Sequence, residues 1–241
     1  HVDGPKMRRM LRWAEEMKCL DRFTPAVGDA GNAVEGLVRP SNFALRAAYQ
    51  SSADAVAGEM LRLRKAGFET FESLFHPPLT VSPSPEGAAQ LKALTSHSRL
   101  MGGYGLALLR SGRGKERTAV SLYYGRGATE HGHFDRLSLE LFGYDRKLIP
   151  DLGYPEHAAE GDTPAVWTKN TASHATVVVD GRRQDTQGPG RLVAFAPGEC
   201  LSLVEVDAPE TYHVTSEYRR TIALIDLAPD ARYVVDLFRV A

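Results

Sequence analysis

His131 and His133 stand one glycine apart. On an extended strand, residues i and i+2 project from the same face, so the two imidazoles are expected to converge on one small volume. Gly125, Gly127 and Gly132 allow close backbone approach, or a bulge that re-aims a side chain. Asp151 closes the run Lys147-Leu-Ile-Pro-Asp, and His174 precedes the run Ala175-Thr-Val-Val-Val. Both positions read as strand ends, where sites are commonly built. Imidazole nitrogens with one carboxylate suit Zn²⁺. The steps of 2, 18 and 23 residues are too long for a local zinc finger and require a folded sheet to close them. By spacing alone, the bland alternative stays open: two solvated or hydrogen-bonded histidines. A cupin-like metal oxygenase would use a similar pair but wants a Glu soon after the second His. Here Asp135 comes first, and the next acid is Glu140.

The elements that must position these residues change character near residue 100. Before it the periodicity is helical. Met7, Met10, Leu11, Ala14 and Met17 predict a helix over about residues 5–19, with Pro5 in its first turn. Ser41 is a candidate cap for a helix over Asn42–Gln50, and Asp54 for a third with Ala55, Val56, Met60, Leu61 and Leu63 on its buried side. Phe68–Phe75 reads as a short helical or irregular piece ended by His76-Pro-Pro. Val81-Ser-Pro-Ser-Pro-Glu-Gly is the best linker candidate. After residue 100, strands are expected at 106–110, 118–124, 134–142, 176–179, 192–195, 200–206, 218–226 and 232–240. Short strands at such spacing suggest an antiparallel sandwich. The fold class is therefore α+β, with helices over 1–100 and a sandwich over 101–241 that reads as cut at its C-terminus.

The net charge of −1 supplies no global field for nucleic acid or an acidic polymer. No run of 18 apolar residues occurs, so no transmembrane helix is expected. Residues 1–5 carry neither an initiator Met nor signal-peptide character, and the chain reads as an excised or processed piece. Cys19 and Cys200 form no metal or redox pattern and read as two buried free thiols.

The run from Glu130 through His131-Gly-His133 and Asp151-Leu-Gly-Tyr154 to Pro155 resembles the signature of heparinase II/III-like polysaccharide lyases. Three further pieces fit in order: Phe23 to Ala30 with its Gly28-Asp29, Asn170 to Gly181, and Tyr218 to Asp226 followed by Tyr233 to Val240. The resemblance implies the last helices of an incomplete α/α toroid, then an antiparallel β-sandwich. It implies β-elimination on a uronic-acid polysaccharide of the glycosaminoglycan or alginate class, and a periplasmic or secreted setting. The expected partners are that acidic polysaccharide and, as an option, a second copy in a homodimer. No nucleic acid and no membrane span are expected.

Carried over residue by residue, the resemblance makes His131 the catalytic histidine, as general base or as the group polarising the uronate. His133, Asp151 and His174 become the ligands of a Zn²⁺ that supports the active-site loop, with an open catalytic position as the alternative. Ala175 and Phe134 depart from residues common in the family without removing a ligand. The family's catalytic Tyr, with its Asn or His partner, would precede His1. Tyr123, Tyr124 and Arg126 are candidates to line a sugar cleft or to pack within a strand, and Trp167 to stack on sugar. Asp29 could hydrogen-bond in the site or serve an Asx-turn, and Asp135 could support a histidine. A non-catalytic, zinc-stabilised glycan-binding sandwich is the competing reading.

Overall fold

The computed structural model describes residues 4–31, 33, 40–64, 79–127, 131–154, 163–186, 188–228 and 230–241. They fall into two compact units, one within His1–Met17 and Val38–Ser96, the other within Lys18–Leu37 and His97–Ala241.

The first unit is helical. Helix α1 (Pro5–Glu16) opens on a proline, whose missing N–H costs nothing in a first turn. Helix α2 (Asn42–Ser52) is capped by Ser41, which accepts the Ala44 N–H at 3.1 Å. Helix α3 (Ala55–Leu63) is capped by Asp54, which accepts the Ala57 N–H at 2.9 Å. Helix α4 (Pro85–Ser96) begins inside the stretch expected to be a linker. Ser84 accepts the Gly87 N–H at 3.0 Å, and Pro85 suits a first turn, so the same Ser-Pro residues start a helix. Leu11, Leu45, Val56, Met60 and Leu61 form the core, with Leu91 and Leu94 of α4 packed against it. The segment Phe68–Phe75 and the His76-Pro-Pro stop lie outside the described residues. Among the described residues no helix is long and apolar enough to cross a membrane.

The second unit is a two-sheet antiparallel sandwich. One sheet runs in order through β1 (Arg99–Met101), β2 (Leu106–Ser111), β3 (Thr118–Tyr123), β4 (Ser138–Gly143) and β5 (Arg146–Ile149). The other comprises β6 (Arg191–Ala196), β7 (Leu201–Asp207), β8 (Tyr218–Ala228) and β9 (Ala231–Val240). Alternate residues of both meet in one core, with Leu109, Leu122 and Leu139 from the first sheet against Val204, Val206, Ile222 and Leu224 from the second. Each such side chain contributes about 1.5–3 kcal/mol by leaving water. The first sheet is covered on its other side too. Phe23 stacks on Phe142 with ring centroids 6.0 Å apart, and Arg110 donates to the Lys18 carbonyl at 2.8 Å. Burial on both faces is why β2 reads as a nearly unbroken apolar run.

One expected strand starts late and another is not a strand. The region expected at 134–142 is extended only from Ser138, because Ser138 N–H turns back to the Asp135 carbonyl and Leu137 takes φ 57°. The Val-rich run 176–179 carries only an isolated bridge between Val179 and Arg182. The Val177 carbonyl is taken by a side chain instead: Tyr218 Oη donates to it at 2.6 Å. Cys19 is buried as expected, whereas Cys200 is exposed at the start of β7.

Candidate metal centre

The loop that carries the histidines is set by two carboxylates. Glu140, on the covered face of β4, accepts the Ala26 N–H at 2.7 Å and the Asp151 N–H at 3.3 Å, and lies 3.5 Å from Lys147 Nζ. One side chain therefore holds the Ala26–Asp29 loop and the Asp151 loop against the same strand. Burial pushes its carboxyl up to about 7, against the opposing charge of Lys147. Glu140 was not among the sequence candidates, since an acid within a strand reads as outward-facing.

Asp29 is the second carboxylate. Its Oδ2 is 3.0 Å from His131 Nδ1, and its Oδ1 is 3.0 Å from His133 Nε2. Its backbone N–H donates to the His131 carbonyl at 3.0 Å. Gly28 makes that approach possible: its φ is +60°, and a Cβ there would sit 2.3 Å from His131 O. Burial alone would raise the Asp29 pKa, but hydrogen bonds from His133 and His131 outweigh it and hold the carboxyl below its ordinary value.

The His-Gly-His pair is thus divided. The expectation of two rings on one strand face fails, since both residues precede β4 in an irregular loop. The His131 side chain is 83% exposed, while that of His133 is fully buried. They share a carboxylate rather than a strand face.

His133 meets the other two predicted ligands. His133, Asp151 and His174 are all buried, and each offers one ligand atom within 4.8 Å of the others. His174 Nδ1 is 2.6 Å from Asp151 Oδ2. Asp151 Oδ1 accepts the Gly153 N–H at 2.9 Å, which fixes the carboxylate plane. His174 is placed by a short turn at Thr171–Ser173, whose Asn170 side chain accepts the Ala172 N–H. The nitrogens left over, His133 Nδ1 and His174 Nε2, are buried and have no hydrogen-bond partner of ordinary geometry among the described residues. The Thr168 carbonyl nevertheless lies near enough to favour a charged His174 ring. An unsatisfied buried polar atom costs about 1–3 kcal/mol, and a cation taking the lone pair of His133 Nδ1 would remove that cost. The donor set, two nitrogens and a carboxylate, therefore fits a metal ion.

The electrostatics are uneven. Burial lowers the His133 pKa and the Asp29 contact offsets it only in part, so this ring is neutral at pH 7, as a ligand must be. Burial also opposes charge on His174, but the hydrogen bond to Asp151 and the charges of Asp151 and Asp135 outweigh it and raise its pKa. Asp135 is itself buried, with Oδ1 unpartnered among the described residues, and burial pushes it up to about 7. It thus lies in the interior, where its charge acts on His174, rather than at the surface.

The remaining candidates separate. Tyr124 packs in the sandwich core at 4% exposure. Tyr123 lies beside Tyr104, centroids 6.0 Å apart, and its Oη donates to the Arg126 carbonyl at 2.9 Å. Arg126 is exposed. Trp167 is on a short helix, α5 (Thr163–Thr168), and is 51% exposed. Phe134, a departure from the family pattern, carries the Arg183 guanidinium 4.4 Å above its ring.

The heparinase II/III-like C-terminal family profile matches residues 93–233. No curated protein matches the sequence. Among solved structures, one titled "Heparinase III-BT4657 gene product" superposes with TM-score 0.63 at 18% identity, over 95% of this chain and 32% of its own. The heparan sulfate lyase HepC from Pedobacter heparinus gives 0.60 at 19% identity, over 95% of this chain and 32% of its own. A structure titled heparinase III gives 0.63 at 16% identity, over 95% and 33%. The chain thus spans about a third of the length of these structures, and at such identity the likeness shows the fold: helices followed by an antiparallel sandwich. With its family profile covering most of the sandwich unit and the metal-ligand cluster inside that match, the chain belongs to the heparinase II/III-like C-terminal domain family.

Proposed function

We propose that this chain is part of a polysaccharide lyase that cleaves uronic-acid-containing polysaccharide, of the glycosaminoglycan or alginate class, by β-elimination. The observation that carries the reading is the division of the His-Gly-His pair. One ring is exposed and held through Nδ1 by Asp29, while the other is buried in a ligand cluster. Family membership and the heparan sulfate lyase among the structural relatives support the substrate class. On this reading the helices are the end of a toroid domain over 1–100 and the sandwich occupies 101–241.

In β-elimination the C5 proton of the uronate is removed, the C4–O bond breaks, a C4–C5 double bond forms, and the leaving oxygen takes a proton. His131 offers Nε2, the ring nitrogen outside the Asp29 contact, as the base or as the donor that polarises the uronate carboxylate. His133, Asp151 and His174 would hold a Zn²⁺, whose chemistry is to order these loops as a structural ion, or to act as a Lewis acid if a position is left open. Arg126 and Trp167, both exposed, are the candidate sugar contacts. The setting fits a secreted or periplasmic enzyme.

The competing reading, a non-catalytic zinc-stabilised glycan-binding sandwich, draws on the same cluster, because an ion there would staple the loops whether or not a reaction follows. Full-length protein incubated with heparan sulfate, hyaluronan, chondroitin, alginate and ulvan separates the two. Ultraviolet absorbance from the new double bond is expected on at least one polymer. His131→Ala should lower that rate by about 10²-fold or more. Silence on all five polymers, with retained glycan binding, would favour the non-catalytic reading.

A further inference from the structure

We propose that Asp29 is a positioning residue that couples His131 to the metal-ligand cluster, each carboxylate oxygen fixing one of the two histidine rings. The part concerning His131 in turnover rests on the lyase reading; the coupling itself does not.

The geometry is specific. A carboxylate that accepts from His131 Nδ1–H leaves the lone pair on Nε2, the nitrogen directed away from Asp29. An exposed imidazole otherwise exchanges freely between tautomers and rotamers. A carboxylate behind the ring selects one of each, the service a buried Asp renders a catalytic His in hydrolytic triads. The second oxygen does the same for His133: accepting Nε2–H leaves Nδ1 as the lone-pair nitrogen, and Nδ1 is the buried atom without a partner. Metal-binding histidines commonly carry such a carboxylate on the other nitrogen, and its removal costs 10–100-fold in affinity.

Asp29 is itself well anchored. Its N–H is tied to the His131 carbonyl, Gly28 permits the contact, and Glu140 fixes the loop at Ala26. The Asp29 side chain thus fixes the exposed ring and the buried ring relative to one another, beyond what their shared backbone does.

The test compares wild type with Asp29→Asn, which keeps the volume but offers only one oxygen to two N–H donors, and with Asp29→Ala. In protein labelled with ¹⁵N-histidine, the His131 ring, assigned by its loss in His131→Gln, should report the Nδ1–H tautomer at pH 8 in wild type. It should shift toward Nε2–H in Asp29→Ala, whereas in Asp29→Asn the one remaining oxygen can serve either ring. Zn²⁺ affinity, read by competition with a chromophoric chelator, should fall 10–100-fold in Asp29→Ala. If the protein is a lyase, kcat should fall about 10-fold or more while KM changes less than about threefold. An unchanged tautomer, or Zn²⁺ affinity within about threefold of wild type, in Asp29→Ala overturns the coupling, since the carboxylate would then serve one ring or neither. Wild type inert on every polymer defeats the lyase reading alone; the tautomer and affinity measurements still decide the role of Asp29.

Discussion

His174 Nδ1 lies 2.6 Å from Asp151 Oδ2, with both side chains buried. Neither can be truncated without stranding the other. His174→Ala is expected to cost about 3–5 kcal/mol in chelator-treated protein, measured as the change in urea midpoint, and to abolish tight Zn²⁺ binding. Asp151→Ala should behave alike, and the double variant should lose clearly less than the two singles added together. Additive losses would mean that the contact carries no coupling.

Gly28 and Gly181 share a left-handed backbone, φ +60° and +66°, but differ in surroundings. A methyl at Gly28 meets the His131 carbonyl, whereas at Gly181 it meets open space. Gly181→Ala should therefore cost only conformational strain, about 1 kcal/mol. Gly28→Ala should cost about 2–4 kcal/mol and weaken Zn²⁺ binding, because the loop must retreat from the histidines. Equal effects at the two positions would refute the steric account.

Arg220 binds four acceptors from β8. Its Nε and Nη2 pair with the Asp236 carboxylate at 2.8 and 2.6 Å, and its Nη1 donates to the carbonyls of Leu137 and Ala175 at 2.6 and 2.5 Å. Those carbonyls belong to the loops leaving His133 and His174, so this guanidinium ties both ligand loops to the second sheet. Lysine cannot reproduce the fork. Arg220→Lys should cost about 2–4 kcal/mol, seen as a lowered Tm. Asp236→Asn, at the more exposed end, should cost about 1 kcal/mol.

Cys19 is wholly buried, and burial pushes its thiol from 9.0 up to about 12. At pH 8 roughly one molecule in 10⁴ carries that thiolate. A chromogenic disulfide reagent should count one thiol, Cys200, in the folded protein and two in denaturant. Because the folded pKa is raised, the thiol's contribution to stability is fully present below pH 9 and is lost as pH rises from there toward 12. The slope is about 1.4 kcal/mol per pH unit. Cys19→Ala should flatten the alkaline limb of the stability curve relative to wild type.

The sequence carried the large elements well, because caps and strand patterns are local. Ser41 and Asp54 cap where expected, and β2, β3, β8 and β9 follow their apolar runs. The Val-rich run 176–179 misleads because β propensity says nothing about which groups will take the carbonyls, and here Tyr218 and Arg220 take those of Val177 and Ala175. The ligand trio was reachable through the resemblance, and its convergence agrees with that expectation. The Asp29 clasp and the Glu140 anchor were not, since both join loops more than 100 residues apart. Asp29 had appeared only as one option beside an Asx-turn.

That separation also sets the order of events in folding. Residues 29, 131, 133, 151 and 174 meet only when β4 is in place, so an unfolded chain offers no preformed nest for an ion. A metal can then act as a late lock rather than as a nucleus. An ion that binds only the finished fold adds about 2.7 kcal/mol when its free concentration is 100 times its Kd. The melting temperature of the protein would then titrate with the ion itself.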